Sequence, residues 1–228
     1  GTPASINAAE WWLTYQAQQV ICCSKFMARE VTEGFELPLD KLHLVPNGVD
    51  PQLWEPPGAP APPREPLVLA WGRVQYEKGF QVLAGAMGLL RHTVPGIRCV
   101  IAGRGSYLPE LQMQVDVEGV SDLVHLAGFV PDDELRGLLH RAGCVVIPSL
   151  YEPFGIVALE AMAAGAPTIV ARTGGLAEIV EGTGAGLVFE PGSSEQLAAA
   201  IEAVLTEPLT SKALTSKAAE LLTEKYSW

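Results

Sequence analysis

Short apolar runs alternate with helical patterns over most of the second part of the sequence. The apolar runs predict six β-strands, at 67–71, 98–102, 124–126, 144–148, 167–171 and 187–189. The stretches that follow them predict helices at 80–92, 108–118, 133–141, 156–164, 176–180 and 195–205. Strands that are apolar throughout are typical of parallel sheets covered on both faces, and helices provide the crossovers between such strands. We therefore predict an α/β fold with a Rossmann-like, doubly wound parallel sheet.

A proline-rich stretch separates this region from the first part of the chain. Proline lacks a backbone N–H group, so residues 51–63 are expected to form an extended linker rather than a helix or a central strand. The residues before it predict an amphipathic helix at 6–18, a strand at 20–22, a helix with Ser24 as its N-cap, and a strand at 42–45. These patterns divide the chain into residues 1–65 and 66–228.

Charge and composition narrow the classes of function. The chain has 228 residues, of which 48% are hydrophobic, and this is typical of a folded protein with a sizeable core. Its 15 basic residues against 26 acidic ones give a net charge of −11, which argues against a nucleic-acid partner. No apolar run is long enough to predict a transmembrane segment, and the first residues do not resemble a signal peptide. We therefore expect a cytoplasmic protein.

The cysteines and histidines lack the spacing of metal ligands. The cysteines are Cys22, Cys23, Cys99 and Cys144, and the histidines are His43, His92, His125 and His140. We expect the thiols to be reduced, and we expect neither a metal site nor a cofactor. Asp132 and Asp133 could also suggest metal ligands, but Asp132 is better explained as the cap of the helix that follows.

A pair of glutamates flanks a turn that follows the apolar run at 144–148. Gly155 lies between Glu152 and Glu160, at the predicted start of a helix. Backbone N–H groups near Phe154, Gly155 and Ile156 could bind a phosphate there, and the two carboxylates could accept hydrogen bonds from ligand hydroxyls. Taken alone, two glutamates at this spacing are more often solvated.

Two further turns follow predicted strands. Gly72, Arg73, Lys78 and Gly79 belong to a loop in which a guanidinium and an ammonium group could converge on a pyrophosphate. The same spacing also fits a loop with two solvated cations. The turn that contains Gly103 is an incomplete dinucleotide-binding motif without an acidic residue at the required distance, so a dinucleotide site is excluded.

Together these motifs resemble the retaining nucleotide-sugar glycosyltransferases of the GT-B fold, in particular the family-4 and glycogen-synthase-like group. The resemblance rests on the spacing of Glu152 and Glu160 around Glu-Pro-Phe-Gly and on the Gly-Arg…Lys-Gly element. It implies that Glu160 binds the ribose, that Glu152 binds the donor sugar, and that cations neutralise the departing diphosphate. The donor-binding residues that it implies are Gly72, Arg73, Lys78, Gly103, Val130, Glu152, Phe154, Gly155, Ile156, Val157 and Glu160, of which Glu152, Arg73 and Lys78 would be catalytic. The turn at 173–178 is expected to shape the sheet edge.

The resemblance also predicts a function and a division of labour. Residues 66–228 would form the nucleotide-sugar donor domain, and residues 1–65 would be the end of an acceptor-side domain plus the linker. The enzyme would transfer a hexose, with glucose favoured, from a UDP-, ADP- or GDP-sugar to a glycan, lipid or small-molecule acceptor. The rest of the acceptor domain is missing, so this chain alone is expected to be inactive. Residues 226–228 resemble the start of the family's last helix.

Two other functions fit the same residues. The chain could be a nucleotide-sugar-binding regulatory module, or an enzyme similar to UDP-sugar 2-epimerases, which share the fold and the donor class. The acceptor stays unidentified, and a longer protein that contains this chain could associate with a membrane.

Overall fold

The computed structural model describes residues 4–55 and 63–227, which form helices and strands in alternation. The helices are α1 (Ala4–Gln16), α2 (Lys25–Phe35), α3 (Phe80–Leu90), α4 (Leu108–Val117), α5 (Asp132–Arg141), α6 (Ile156–Ala163), α7 (Gly174–Val180), α8 (Ser194–Thr206) and α9 (Pro208–Leu221). The strands are β1 (Val20–Cys22), β2 (Leu42–Leu44), β3 (Glu65–Trp71), β4 (Arg98–Ala102), β5 (Val124–Gly128), β6 (Ala142–Ile147), β7 (Thr168–Ala171) and β8 (Leu187–Phe189).

Strands β3 to β8 form one parallel sheet in the order β5-β4-β3-β6-β7-β8. The chain moves outward from β3 through β4 to β5, and then returns to place β6 on the other side of β3. The winding therefore reverses between β3 and β6. In folds of this type, ligands bind in the crevice at the carboxyl ends of the strands on either side of such a reversal.

The predicted doubly wound sheet is confirmed, because all six strands and the helices between them occur with bounds within two residues of those predicted. Both faces of the central strands β3, β6 and β7 are buried, as their apolar runs require. On β3, Val68 and Ala70 pack into one core with α3, α4 and α8. Leu67 and Leu69 face the opposite core, which α5, α6 and α7 cover.

The N-terminal block, residues 4–55, contains a separate two-stranded parallel sheet made of β1 and β2. Helix α2 begins after Ser24, whose hydroxyl accepts a hydrogen bond from the Met27 N–H at 2.9 Å, so this predicted cap is confirmed. The first two amides of α2 are hydrogen-bonded by a residue that is distant in sequence. The Glu178 carboxylate accepts hydrogen bonds from Lys25 N at 2.9 Å and Phe26 N at 2.5 Å. The N-terminal block is thereby attached to α7.

Two local predictions are wrong. Pro51–Trp54 forms a short 3₁₀ turn rather than extended chain, because Asp50 accepts a hydrogen bond from Gln52 N and proline is favourable at the first helical position. Residues 56–62 of the predicted linker lie outside the described residues. Asp132 does not cap α5 but is its first residue, and Pro131 occupies the cap position without a side-chain bond.

The C-terminal region also differs from the prediction. Helix α9 was not predicted; it begins at Pro208, whose missing N–H group costs nothing in the first turn of a helix. Tyr226 ends a helical turn rather than starting a helix, and Ser227 forms a β-bridge with Val49. Trp228 lies outside the described residues. Within residues 4–55 and 63–227, every helix is too short or too polar to span a bilayer.

The loops at the carboxyl edge are packed against one another through glycine backbones. Gly79 has a φ of +69°, and a Cβ atom there would lie 1.8 Å from the Pro148 carbonyl oxygen. Gly103 is similarly tight, with its Cβ position 1.8 Å from the Gly72 carbonyl oxygen. These contacts bring the loop after β3 against the ends of β6 and β4.

Substitution of Gly79 tests this packing. Gly119 is a matched control, since its φ is +66° and nothing lies within 4 Å of its Cβ position. Gly119→Ala should lower the free energy of unfolding by about 1 kcal/mol through backbone strain alone. Gly79→Ala should lower it by at least about 2 kcal/mol more, because the carbonyl of Pro148 must also move. Urea unfolding followed by circular dichroism measures both, and equal losses would contradict the proposed packing role.

Candidate functional site

Three adjoining cavities lie at the carboxyl edge of the sheet, and Arg73 lines all of them. The largest, of about 500 Å³, extends from Arg73 to Glu160; we call it the first cavity. The second cavity, of about 350 Å³, is lined by Arg73 and Glu152 among others, and the third, of about 150 Å³, by Arg73 and Ser149. Arg73 is thus shared by the cavity at Glu160 and the cavity at Glu152.

All of the predicted site residues line these cavities. Gly72, Arg73, Gly103, Val130 and Glu160 line the first. Arg73, Lys78, Glu152, Phe154, Gly155 and Ile156 line the second, and Val157 lines the third. The structure thus brings together residues from four segments that are well separated in sequence. Their individual roles stay predictions.

Lys78 and Glu152 form an ion pair at the second cavity. The Lys78 Nζ lies 2.7 Å from the Glu152 Oε2, and both side chains are largely shielded from solvent. The buried Ser149 hydroxyl donates to the same carboxylate oxygen at 3.2 Å. Backbone bonds hold the two loops in this arrangement, since Leu150 N donates to the Glu77 carbonyl at 2.8 Å. The carboxylate is therefore oriented by two side-chain donors.

The start of α6 offers backbone N–H groups to the second and third cavities. Gly155 occupies the N-cap with a φ of +107° and provides no side-chain cap. The first amides of the helix consequently keep their donor capacity, and the helix dipole favours negative charge beside them. A Cβ atom on Gly155 would lie 2.5 Å from the Leu176 Cδ2, so α7 also requires glycine there.

Glu160 differs sharply from Glu152 in its environment. It lies on α6 at the first cavity, where burial raises the pKa of its carboxyl to about 7. The Trp71 side chain lowers this pKa and the charge of Asp132 raises it further, but both effects are smaller than that of burial. Near neutral pH this group can therefore both donate and accept hydrogen bonds.

Several site residues were not predicted. Aromatic side chains of Trp54, Trp71 and Phe129 line the first cavity, and the Arg104 guanidinium lies 5.5 Å from the centre of the Phe129 ring. Trp71 and Arg104 each adjoin a glycine of a predicted turn, and Phe129 precedes the predicted site residue Val130; that adjacency was the available signal. Trp54 comes from the proline-rich stretch, which gave no indication of a site.

The turn at 173–178 forms hydrogen bonds with the backbone of the segment that contains Glu152. Gly175 N donates to the Glu152 carbonyl at 2.9 Å, and the Thr173 hydroxyl donates to the Leu150 carbonyl at 3.2 Å. A Cβ atom on Gly174 would lie 2.0 Å from the Glu152 carbonyl oxygen. This turn therefore fixes the backbone on which Glu152 is presented.

Comparison with known families gives two adjoining matches. Residues 55–221 match the family described as "Glycosyl transferases group 1". Residues 2–53 match the family described as "Glycosyltransferase Family 4". The first match contains all of the predicted site residues.

Known proteins resemble the whole chain. A glycogen synthase from Mycobacterium tuberculosis (strain ATCC 25618 / H37Rv) is 38% identical over 98% of this chain and 54% of its own length. The chain thus spans about half the length of the curated relatives that it matches. The structure of sucrose-phosphate synthase from Thermosynechococcus elongatus superposes with a TM-score of 0.86 at 27% identity, over 99% of this chain and 58% of the other. Anabaena Alr3699/HepE, solved with UDP and glucose, has the same fold, with a TM-score of 0.84 at 23% identity over 98% and 63% of the two chains.

The raised pKa of Glu160 predicts a pH-dependent stability. Its pKa is about 7 in the folded chain against an ordinary value of 4.5, so ionisation opposes folding as pH rises through that window. Glu160→Gln should therefore stabilise the chain at pH 8 relative to wild type by about 1 to 2 kcal/mol, after allowance for partial solvent exposure. The gain should vanish below pH 4.5.

Urea unfolding at pH 4.5, 6 and 8 measures this difference. Glu110→Gln on the exposed side of α4 is the control, and it should show no comparable pH dependence. A constant difference between wild type and Glu160→Gln across this range would contradict the raised pKa.

Proposed function

The chain belongs to the group 1 glycosyltransferases, and from that premise we propose that it forms the donor-binding part of an enzyme that transfers a hexose from a nucleotide sugar. The observation that carries this proposal is that Arg73 lines both a cavity that Glu160 lines and an adjoining cavity that Glu152 lines. A nucleotide sugar has the same order of parts, with an anionic diphosphate between two hydroxyl-bearing ends.

Each part of such a donor has a chemically suitable surface. The nucleoside fits the first cavity, with its base among aromatic side chains and the backbone near Val130, and its ribose hydroxyls at Glu160. The diphosphate fits Arg73, Lys78 and the amides of Gly155, Ile156 and Val157. The sugar fits the second cavity, where Glu152 can accept hydrogen bonds from its hydroxyls.

The reaction that we propose is transfer with retention of anomeric configuration. The bond between the anomeric carbon and the diphosphate oxygen breaks, and the acceptor oxygen bonds to that carbon on the same face. The acceptor proton passes to the departing phosphate. Arg73, Lys78 and the start of α6 stabilise the negative charge that grows on the leaving group, so this scheme needs no metal ion. Glucose is our preferred sugar.

The N-terminal block fits the end of an acceptor-side domain, as its family match suggests. Catalysis also needs an acceptor held against the anomeric carbon, and such positioning accounts for about 7 to 11 kcal/mol of barrier reduction. We therefore propose that this chain binds the donor without transferring its sugar. A nucleotide-sugar-binding regulatory module and an epimerase remain the competing functions.

Calorimetric titration with UDP, ADP, GDP and their glucose derivatives tests the proposal. One base should be preferred, with affinity in the micromolar to millimolar range, and radiolabelled donor should give no transfer by the chain alone. The longer protein that contains this chain should transfer the sugar to an acceptor.

Failure to bind any of these ligands would overturn the proposal. Epimer formation without acceptor would identify the epimerase, and binding without transfer in the longer protein would identify the regulator.

Arg73→Ala tests the diphosphate assignment. Loss of a charge-assisted contact should weaken nucleoside diphosphate binding about 10- to 150-fold, while the affinity of the free nucleoside stays nearly constant. Lys78→Ala should act in the same direction, although it also leaves Glu152 unpaired. Arg98→Ala is the matched control. Arg98 begins β4 at the amino-terminal end of the parallel strands, away from the cavities, and pairs with Glu65. Equal losses for nucleoside and nucleotide would refute the assignment.

Glu160→Gln tests the ribose assignment. The substitution should weaken binding of the ribonucleoside diphosphate about 3- to 30-fold, in keeping with one lost hydrogen bond. It should leave its 2′,3′-dideoxy analogue nearly unaffected, because that ligand lacks the hydroxyls. Parallel titrations at pH 8 measure both ligands. If both affinities fall alike, Glu160 does not serve the ribose.

A further inference from the structure

Helix α2 of the N-terminal block contacts the segment that carries Glu152, on both sides of that residue. Before it, the Tyr151 hydroxyl donates to the Glu30 Oε2 at 2.8 Å. After it, the Pro153 carbonyl accepts a hydrogen bond from the Ser24 hydroxyl at 2.5 Å. The Phe26 ring also packs edge-on against Tyr151, with ring centres 5.7 Å apart. A helix that is distant in sequence thus restrains the residues next to Glu152.

Tyr151 also faces the second cavity, which it lines together with Glu152. Tyr151 is 41% exposed, so the contacts with α2 leave part of the residue accessible at the second cavity. Burial raises the pKa of the Tyr151 hydroxyl to about 12, and the bond to Glu30 acts in the same direction. The phenol consequently stays protonated near neutral pH and keeps donating to Glu30.

The backbone of the same segment is held from the other side by different groups. Gly175 N donates to the Glu152 carbonyl, and Glu77 accepts from Leu150 N. These bonds hold the backbone on either side of Tyr151 but do not involve its side chain. The orientation of that ring, and with it the wall beside Glu152, is set by Phe26 and Glu30.

We propose that Glu30 and Tyr151 form a positioning pair, through which helix α2 fixes the Tyr151 ring in the wall beside Glu152 and so aligns the sugar of the bound donor with the carboxylate that Lys78 and Ser149 hold. This inference rests on the proposed function. Glu30 is exposed, so its bond to Tyr151 contributes little to folding stability. Its effect should instead be seen in the binding of the sugar end of the ligand. Neither residue touches the reacting atoms in this proposal.

The test compares affinities for UDP-glucose and UDP, or for the ADP pair if the titrations above select adenine. Tyr151→Phe keeps the ring and removes the hydroxyl, and Glu30→Ala removes the acceptor. Each should weaken UDP-glucose binding about 3- to 10-fold, as for one lost hydrogen bond, and leave UDP binding unchanged. Glu30→Gln keeps an acceptor oxygen and should retain wild-type affinity. Glu33→Gln, at an exposed position of the same helix, is the matched control.

Two combined variants separate positioning from direct contact. Glu30→Ala with Tyr151→Phe should be no weaker than either single variant, because the pair acts as one unit. Adding Tyr151→Phe to Glu152→Gln should have no further effect on UDP-glucose binding. An undiminished effect in the Glu152→Gln background, equal losses for UDP and UDP-glucose, or unchanged affinities would each overturn the pair's role. Absence of UDP binding by the wild-type chain would instead refute the proposed function.

Discussion

Contact between backbones at the carboxyl edge of the sheet is the constraint on which the site depends. The loop after β3 lies so close to the ends of β4 and β6 that Gly79 and Gly103 leave no room for a Cβ atom. Hydrogen bonds such as Val74 N to the Arg104 carbonyl, at 2.9 Å, join the loops directly. Because loops are otherwise mobile, this packing is what allows charged side chains from separate segments to meet at a defined distance.

The two glutamates show how the same side chain acquires different properties within one site. Glu152 lies between a lysine and a serine, which both donate hydrogen bonds to its carboxylate. Glu160, eight residues later, faces an aromatic cavity that disfavours ionisation and raises its pKa to about 7. The chain therefore presents an ion-paired carboxylate at Glu152 and a carboxyl with a raised pKa at Glu160, within one site.

The sheet and much of the site could be predicted because their signals are local in sequence. Apolar runs define β3 to β8, and predicted turns combine glycine with a functional residue beside it, as Gly72 does with Arg73. Helix α9 was not predicted, although its Pro208 stands in the first turn, where proline is tolerated. Trp54 and Glu30 could not be predicted as site residues, since only the way the N-terminal block packs against the sheet places them there. Such long-range contacts leave no local pattern.

The capping of α2 by Glu178 has a consequence for the synthesis of the chain. Glu178 follows Lys25 by 153 residues, and at about 5 to 20 residues per second a ribosome takes about 8 to 30 s to cover that interval. Within the described part of residues 4–55, the buried apolar side chains are Cys22, Leu37 and Val49, which make a very small core. The bonds from Glu178 to the start of α2 therefore form late, after the whole interval between the two residues has been translated.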